Sequence, residues 1–252
     1  MLKTDSIHYI FIDNGGVITD NSVLSRNYLR RLGELLSPHF GGNSEQWAAA
    51  NGRTWPRVWQ RHLARMETFD VASGDIEREF YLTKADWLRS MCAEIGVEAP
   101  ANEDDCVRLA AAVQDTIIID SQAAFPGALD ALKELALRYT LFSASEGLSR
   151  ELHKYLGALG VAGLFERLYG SDYVNTPKQM PQYHERIFAH AGIDPSTALV
   201  VDDWPVAIER ARAAGARTAL VAREDGAEHG SADIVVRSLA ELPALLAGPG
   251  SA

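Results

Sequence analysis

Asp13 closes the apolar run Tyr9-Ile10-Phe11-Ile12 and is followed at once by Asn14-Gly15-Gly16-Val17. One carboxylate thus stands where a strand stops and the backbone turns sharply. In an open parallel sheet, ligands gather outside the carboxyl ends of the strands, so this is a natural place for chemistry. Three further segments carry reactive side chains in similar settings. Tyr139-Thr140-Leu141-Phe142 runs into Ser143-Ala144-Ser145-Glu146, and Ala198-Leu199-Val200-Val201 runs into the acidic pair Asp202-Asp203. Lys178 lies in a loop ahead of a helix expected from Pro181 to Ala191.

Each segment also has a plain structural reading. Asp-Asn-Gly-Gly is good turn chemistry, because Asn and Gly accept positive φ and an Asp side chain bonds to nearby amides. Ser143 with Glu146 three residues on has the spacing of a helix capping box, although a helix start bearing a hydroxyl is also an anion site. Adjacent carboxylates at 202 and 203 repel unless a cation or hydrogen bonds offset the cost, yet a solvated first helical turn also accommodates acids. A loop lysine is most often a solvated charge. Convergence of all four on one sheet edge is what would favour chemistry.

The elements that would bring them together follow from periodicity. After Val17-Ile18 come about a hundred residues of helical spacing, including Leu24 to Leu36, Trp47 to Leu63 and Phe80 to Ile95. From Phe125-Pro126-Gly127 onward, short β-rich runs at 139–142, 167–169, 198–201 and 217–221 alternate with amphipathic helices, which implies a parallel sheet with right-handed crossovers. The first strand then joins a sheet whose other members lie beyond residue 120. The expected fold is α/β, a doubly wound parallel sheet built from residues 1–19 and 120–252, with residues 20–119 inserted as a small all-helical domain. That insertion would act as a lid at the strand ends. The tail Gly248-Pro249-Gly250-Ser251-Ala252 is expected to fray.

Composition narrows the function classes. A chain of 252 residues, 47% hydrophobic and 23% charged, can bury a full core. No apolar stretch approaches the roughly 20 residues needed to span a bilayer, and no secretory leader is legible, so the cytoplasm is the expected location and no membrane partner is expected. A formal charge of -10 argues against nucleic acid as a partner. It also means that an anionic substrate would need local help from a metal or a placed lysine. Cys92 and Cys106 fall in helical sequence and suggest neither a disulfide nor a thiolate metal site. Arg53, Trp55, Arg57 and Trp59 form a basic and aromatic cluster that could face a ligand, but Arg stems packed along aromatics on one helix account for it more simply.

The order and context of the four segments resemble the haloacid dehalogenase superfamily, whose core is a doubly wound sheet interrupted after its first strand by a helical cap. The resemblance implies that Phe11-Ile12-Asp13-Asn14-Gly15-Gly16-Val17 is the first motif, with Asp13 as nucleophile. Leu141-Phe142-Ser143 then corresponds to the second, with Ser143 holding a phosphoryl oxygen, and Thr176-Pro177-Lys178 to the third, with Lys178 offsetting charge. Val200-Val201-Asp202-Asp203 looks like the double-acid fourth motif. Mg²⁺ would be held by Asp13, the Gly15 carbonyl and Asp203, with Asp202 in support. The implied activity is a phosphatase acting through an aspartyl-phosphate on a small phosphorylated metabolite.

One departure bears on turnover. Phosphatases of this superfamily usually carry a second Asp two residues past the nucleophile, where it protonates the leaving oxygen; here that place is Gly15. Loss of such an acid removes about 10²- to 10⁴-fold in rate. In addition, Ala144 stands where an Asn often follows the second-motif hydroxyl. Three alternatives therefore stand beside the phosphatase: a metal-free dehalogenase, a non-catalytic homologue that binds a phosphorylated ligand or a protein, and a serine hydrolase. The last would use Ser145 in Ser143-Ala144-Ser145-Glu146-Gly147, with Asp203 and His229 following in the right chain order.

Overall fold

A computed structural model describes residues 6–223 and 231–247; His229 and the Gly248 to Ala252 tail lie outside the described residues. The chain divides into two compact units, one formed by residues 1–21 and 123–252 and the other by residues 22–122.

The first unit is built on a six-stranded, all-parallel sheet in the order β3-β2-β1-β4-β5-β6. Its strands are β1 (Tyr9–Ile12), β2 (Thr140–Ala144), β3 (Phe165–Tyr169), β4 (Ala198–Asp202), β5 (Arg217–Val221) and β6 (Ile234–Val236). Central strands of a parallel sheet are covered on both faces, which is why β1 and β4 read as unbroken apolar runs instead of alternating ones. Phe11 shows the packing: its ring stacks on Phe142 at 4.8 Å and meets Phe188 edge-on at 5.1 Å. The helices of this unit are α5 (Ala128–Ala136), α6 (Ser149–Ala158), α7 (Tyr183–Ala191), α8 (Pro205–Ala213) and α9 (Leu242–Ala247). With β1 flanked by β2 on one side and β4 on the other, the chain reverses direction of progress across the sheet at β1. That is the switch point at which open α/β sheets form their crevice.

The second unit contains α1 (Asn21–Phe40, its first residue belonging to the other unit), α2 (Ser44–Glu67), α3 (Ile76–Ile95) and α4 (Glu103–Asp120). Asn43 and Gln46 make a reciprocal capping box at the start of α2, Asp75 caps α3, and Gly96 at φ 77° ends α3 in the left-handed conformation. Trp47, Trp87, Leu32, Leu36, Met91 and Ile117 fill the core. Four arginines at helical spacing line the seam between α2 and α3. Arg53 pairs with Glu94, Arg57 lies 3.5 Å from the same carboxylate, Arg61 grips Asp86 at 2.8 and 2.9 Å, and Arg65 binds Glu79 at 2.8 Å. Trp55 and Trp59 stack on each other at 5.6 Å. The basic and aromatic cluster is therefore helix lacing, with Arg53 and Arg57 sharing the Glu94 carboxylate.

The capping box expected at Ser143 is not formed. Ser143 lies inside β2 and α6 does not begin until Ser149, so Glu146 falls in the connection between the two elements and bonds elsewhere.

Candidate active site

The crevice beside β1 gathers side chains from four separate segments. Asp13 follows β1 directly, its N–H donating to the Val201 carbonyl at 2.9 Å, which extends the β1–β4 ladder to the residue carrying the carboxylate. The side chain is 8% exposed, open enough to meet a ligand and buried enough to need partners. Lys178 supplies one, its ammonium 3.0 Å from Asp13 Oδ1 and 2.7 Å from Asp202 Oδ2. Burial by itself would lower the Lys178 ammonium, but the charges of Asp13 and Asp202 outweigh it and hold the group above its ordinary value, so it is a permanent cation. Asp202, the last residue of β4, is fixed from the other side by the Trp204 N–H at 2.9 Å from its Oδ1.

The hydroxyl at this site belongs to Ser145. Its Oγ donates to Asp13 Oδ1 at 2.7 Å and accepts the Asn14 N–H at 3.0 Å. Ser143, expected to play that part, is fully buried on the sheet and donates to the Tyr169 carbonyl at 3.1 Å. The correction has a simple cause. Ser143 is paired with Ile12, one residue short of Asp13, and sits within the β2 ladder; only Ser145, past the end of the strand, stands level with the carboxylate. Ser145 is fixed in turn through its carbonyl, which accepts the Tyr183 hydroxyl at 2.9 Å. Its bonding to Asp13 and Asn14 also leaves the serine-hydrolase arrangement without support among the described residues.

With the register moved by two, the residue after the hydroxyl is Glu146, not Ala144. Glu146 Oε2 accepts the backbone N–H of Lys178 at 3.1 Å, and the Gln179 amide nitrogen in its hydrogen-bonding orientation lies 3.1 Å from both carboxylate oxygens. Burial pushes the Glu146 carboxyl up to about 7, against the pull of the Lys178 charge. In sequence this residue has the spacing of a cap, which hides it. An acid directly after a strand-end hydroxyl is the signal that could find it.

Asp203 completes the acidic group. Oxygen atoms of Asp13, Asp202 and Asp203 all lie within 4.8 Å of one another. Burial, and next the charge of Asp13, push the Asp203 carboxyl above its ordinary value. The turn after Asp13 is shaped to admit it: Gly16 has φ +74°, and a Cβ there would lie 1.8 Å from Asp203 Oδ2. Arg223, two residues past β5, donates to the carbonyls of Gly16 and Val17 and lies 3.5 Å over the Phe125 ring, pinning the same turn. Sequence offers no signal for Arg223, since the contact spans about two hundred residues. Gly15 needs no left-handed backbone; the space beside it is taken by the Asn21 amide.

Chemically, Asp13 is a nucleophile candidate with one occupied oxygen. Ser145 and Lys178 both donate to Oδ1, and Oδ2 has no protein donor among the described residues. Burial pushes the Asp202 carboxyl up to about 7 against the pull of Lys178. With all three carboxylates ionised, the one buried ammonium leaves a formal local charge of about -2, which a hard divalent cation would offset.

Solved structures share this arrangement of elements. A defluorinating L-2-haloacid dehalogenase superposes with a TM-score of 0.72 at 18% identity, over 95% of each chain. The putative hydrolase YfnB of Bacillus subtilis, in a magnesium-bound crystal form, gives 0.67 at 18% identity, covering 95% of this chain and 98% of its own. A phosphatase of the same superfamily from Thermococcus onnurineus gives 0.62 at 17% identity, over 96% of this chain and 99% of that one. At such identities the likeness speaks to fold. No curated protein matches the chain in sequence. A sequence model of haloacid dehalogenase-like hydrolases, however, matches residues 7–215, and with most of its length inside that match the chain belongs to the haloacid dehalogenase-like hydrolase family.

Proposed function

We propose that this hydrolase is a Mg²⁺-dependent phosphatase that works through Asp13 on a small phosphorylated metabolite. The observation that supports the reading best is the charge balance of the site. A halide-releasing site needs the nucleophile and a cation, and Lys178 on Asp13 already supplies both. The further pair Asp202-Asp203 is surplus to that chemistry and costs free energy by repulsion, so its presence favours a site built around a divalent ion. Asp13 and Asp203, with the Gly15 carbonyl, would hold Mg²⁺, and Asp202 would support them through Lys178. When bound, the ion supplies the positive charge that lets an anionic carboxylate approach an anionic phosphate.

The chain's own groups do the rest. Ser145 and Lys178 hold Asp13 through Oδ1 and leave Oδ2 to attack phosphorus in line. The Lys178 ammonium and the Ser145 hydroxyl then lie beside the reacting centre, where charge builds on the equatorial oxygens. An aspartyl-phosphate forms on Asp13, and water hydrolyses it.

A second reading, carbon–halogen hydrolysis, has one observation in its favour: Gly15 provides no acid, and a halide leaves without one. Release of nitrophenolate from p-nitrophenyl phosphate, dependent on Mg²⁺ and lost in Asp13→Asn, is the expected result. Chloride release from 2-chloropropionate without Mg²⁺, together with no phosphate hydrolysis, would replace the phosphatase with the dehalogenase.

A further inference from the structure

We infer that the leaving group handled by this site departs as a stable anion, so that the substrate is a phosphate anhydride, an acyl phosphate or phosphoanhydride, and not an alkyl phosphate ester. The inference rests on the phosphatase reading and comes from the geometry around Gly15 and Asn21. A Cβ built on Gly15 would point at the Asn21 side chain, 3.3 Å from both Nδ2 and Oδ1 and 3.7 Å from Cγ. The space into which a residue-15 side chain would project therefore holds a carboxamide. An amide can donate a hydrogen bond but has no proton to give up near neutral pH.

The backbone does not impose this choice. Gly15 lies outside the left-handed region, so any L-residue fits its φ, and the Asn21 side chain would need to give way by only a few tenths of an ångström. Among the described residues, the three acids nearest Asp13 apart from the nucleophile are already engaged. Asp202 is held by Lys178 and the Trp204 N–H, and the Glu146 oxygens are directed to Lys178 N–H and the Gln179 amide. Asp203 faces Gly16.

The two steps balance without an acid when the leaving group is an anhydride. Asp13 Oδ2 bonds to phosphorus as the bridging P–O bond breaks, and the electron pair leaves on a carboxylate or phosphate oxygen that needs no proton. Water then attacks the aspartyl-phosphate, returning the Asp13 carboxylate and inorganic phosphate, with one proton released to solvent. An alkyl ester run through the same first step would have to expel a bare alkoxide. The benefit of general acid catalysis grows with the basicity of the leaving group, so its loss penalises alkyl esters by about 10²- to 10⁴-fold and barely touches anhydrides.

The test is kcat/KM with Mg²⁺ across acetyl phosphate, p-nitrophenyl phosphate, phenyl phosphate and glycerol phosphate, since this ratio reports the first bond cleavage even when dephosphorylation limits kcat. A fall of about 10²-fold or more from acetyl phosphate to glycerol phosphate is expected. Gly15→Asp, alone and with Asn21→Ala to clear its space, is expected to raise glycerol phosphate selectively and flatten the series. A flat wild-type series would overturn the inference and leave the phosphatase standing. No Mg²⁺-dependent hydrolysis of any member would overturn both.

Discussion

Ser145 Oγ donates to Asp13 Oδ1 at 2.7 Å across a sequence separation of 132 residues, whereas Ser143 donates to a strand carbonyl. A hydrogen bond to a charged group is worth about 1.5–3 kcal/mol when its loss leaves the charge unsatisfied. Ser145→Ala is therefore expected to lower kcat/KM on p-nitrophenyl phosphate by about 10- to 100-fold. Ser143→Ala should change it little, because that hydroxyl only reinforces the β2–β3 edge. Comparable losses in both variants would show that the geometry does not distinguish the two serines.

The same two serines mark how far sequence reaches into this site. The strands that carry Asp13, Ser145 and Asp202 are legible because interior parallel strands must be apolar throughout, and short apolar runs between amphipathic helices suit little else. Asp13, Lys178 and the acidic pair fall at strand ends or in loops on that basis. What a run of apolar residues does not state is where its ladder stops. Ser143 and Ser145 have equal claims until the pairing of Ala144 with Tyr169 shows that β2 continues through Ala144. Three-residue β6 is too short to announce itself. Asn21 and Arg223 are silent in sequence because each acts on the turn after Asp13 only once the fold brings it there.

Glu146 ties the Lys178 backbone to the residue following Ser145, so it is expected to position the lysine. Burial raises its carboxyl from 4.5 to about 7. Between those values the folded protein binds more protons than the unfolded chain, so this group's contribution to stability falls as pH rises from 4.5 to 7 and is constant above. The full effect is at most about 3 kcal/mol. Urea midpoints at about pH 5 and about pH 8 should show Glu146→Gln lessening that decline. Its pH–rate profile should also change near 7, where Asp202 titrates as well and keeps part of the limb, while Glu146→Asp restores the wild-type form in part. Identical pH dependence of stability in wild type and Glu146→Gln would remove the residue from this role.

His184 presents the opposite sign. It is 1% exposed and neither ring nitrogen has a hydrogen-bond partner among the described residues, and burial, then the charges of Lys178 and Arg210, push it down to about 3. His62 in the helical unit, buried against Trp59 and Phe80, is pushed down to about 4, again chiefly by burial. Below the ordinary value of 6.5 the unfolded chain takes up protons that the folded protein refuses, so stability drops as pH falls from 6.5 toward those lowered values. Each histidine should contribute a slope of about 1.4 kcal/mol per pH unit within that window. Replacing His184 with Phe should remove one such contribution, read as a shallower decline of the urea midpoint from about pH 6.5 to about pH 4.5. An unchanged slope would mean that His184 is already protonated in the folded state.

Gly16 separates the demands of the backbone from those of the acidic group. At φ +74° a β-carbon costs about 1–2 kcal/mol in stability, and here it would also fall 1.8 Å from Asp203 Oδ2, so that the carboxylate has to move. Displacement of a reacting or ligating group by about 1 Å can cost 10²-fold in rate. Gly16→Ala is thus expected to reduce Mg²⁺-dependent turnover by about that factor while the protein still folds. A binding readout distinguishes this from simple destabilisation: Mg²⁺ raises the melting temperature of a protein that binds it in the folded state. That rise should be present in wild type, reduced in Gly16→Ala and lost in Asp203→Asn. A full Mg²⁺-induced rise in Asp203→Asn would take Asp203 out of the metal's coordination and would leave Gly16 as a feature of the turn alone.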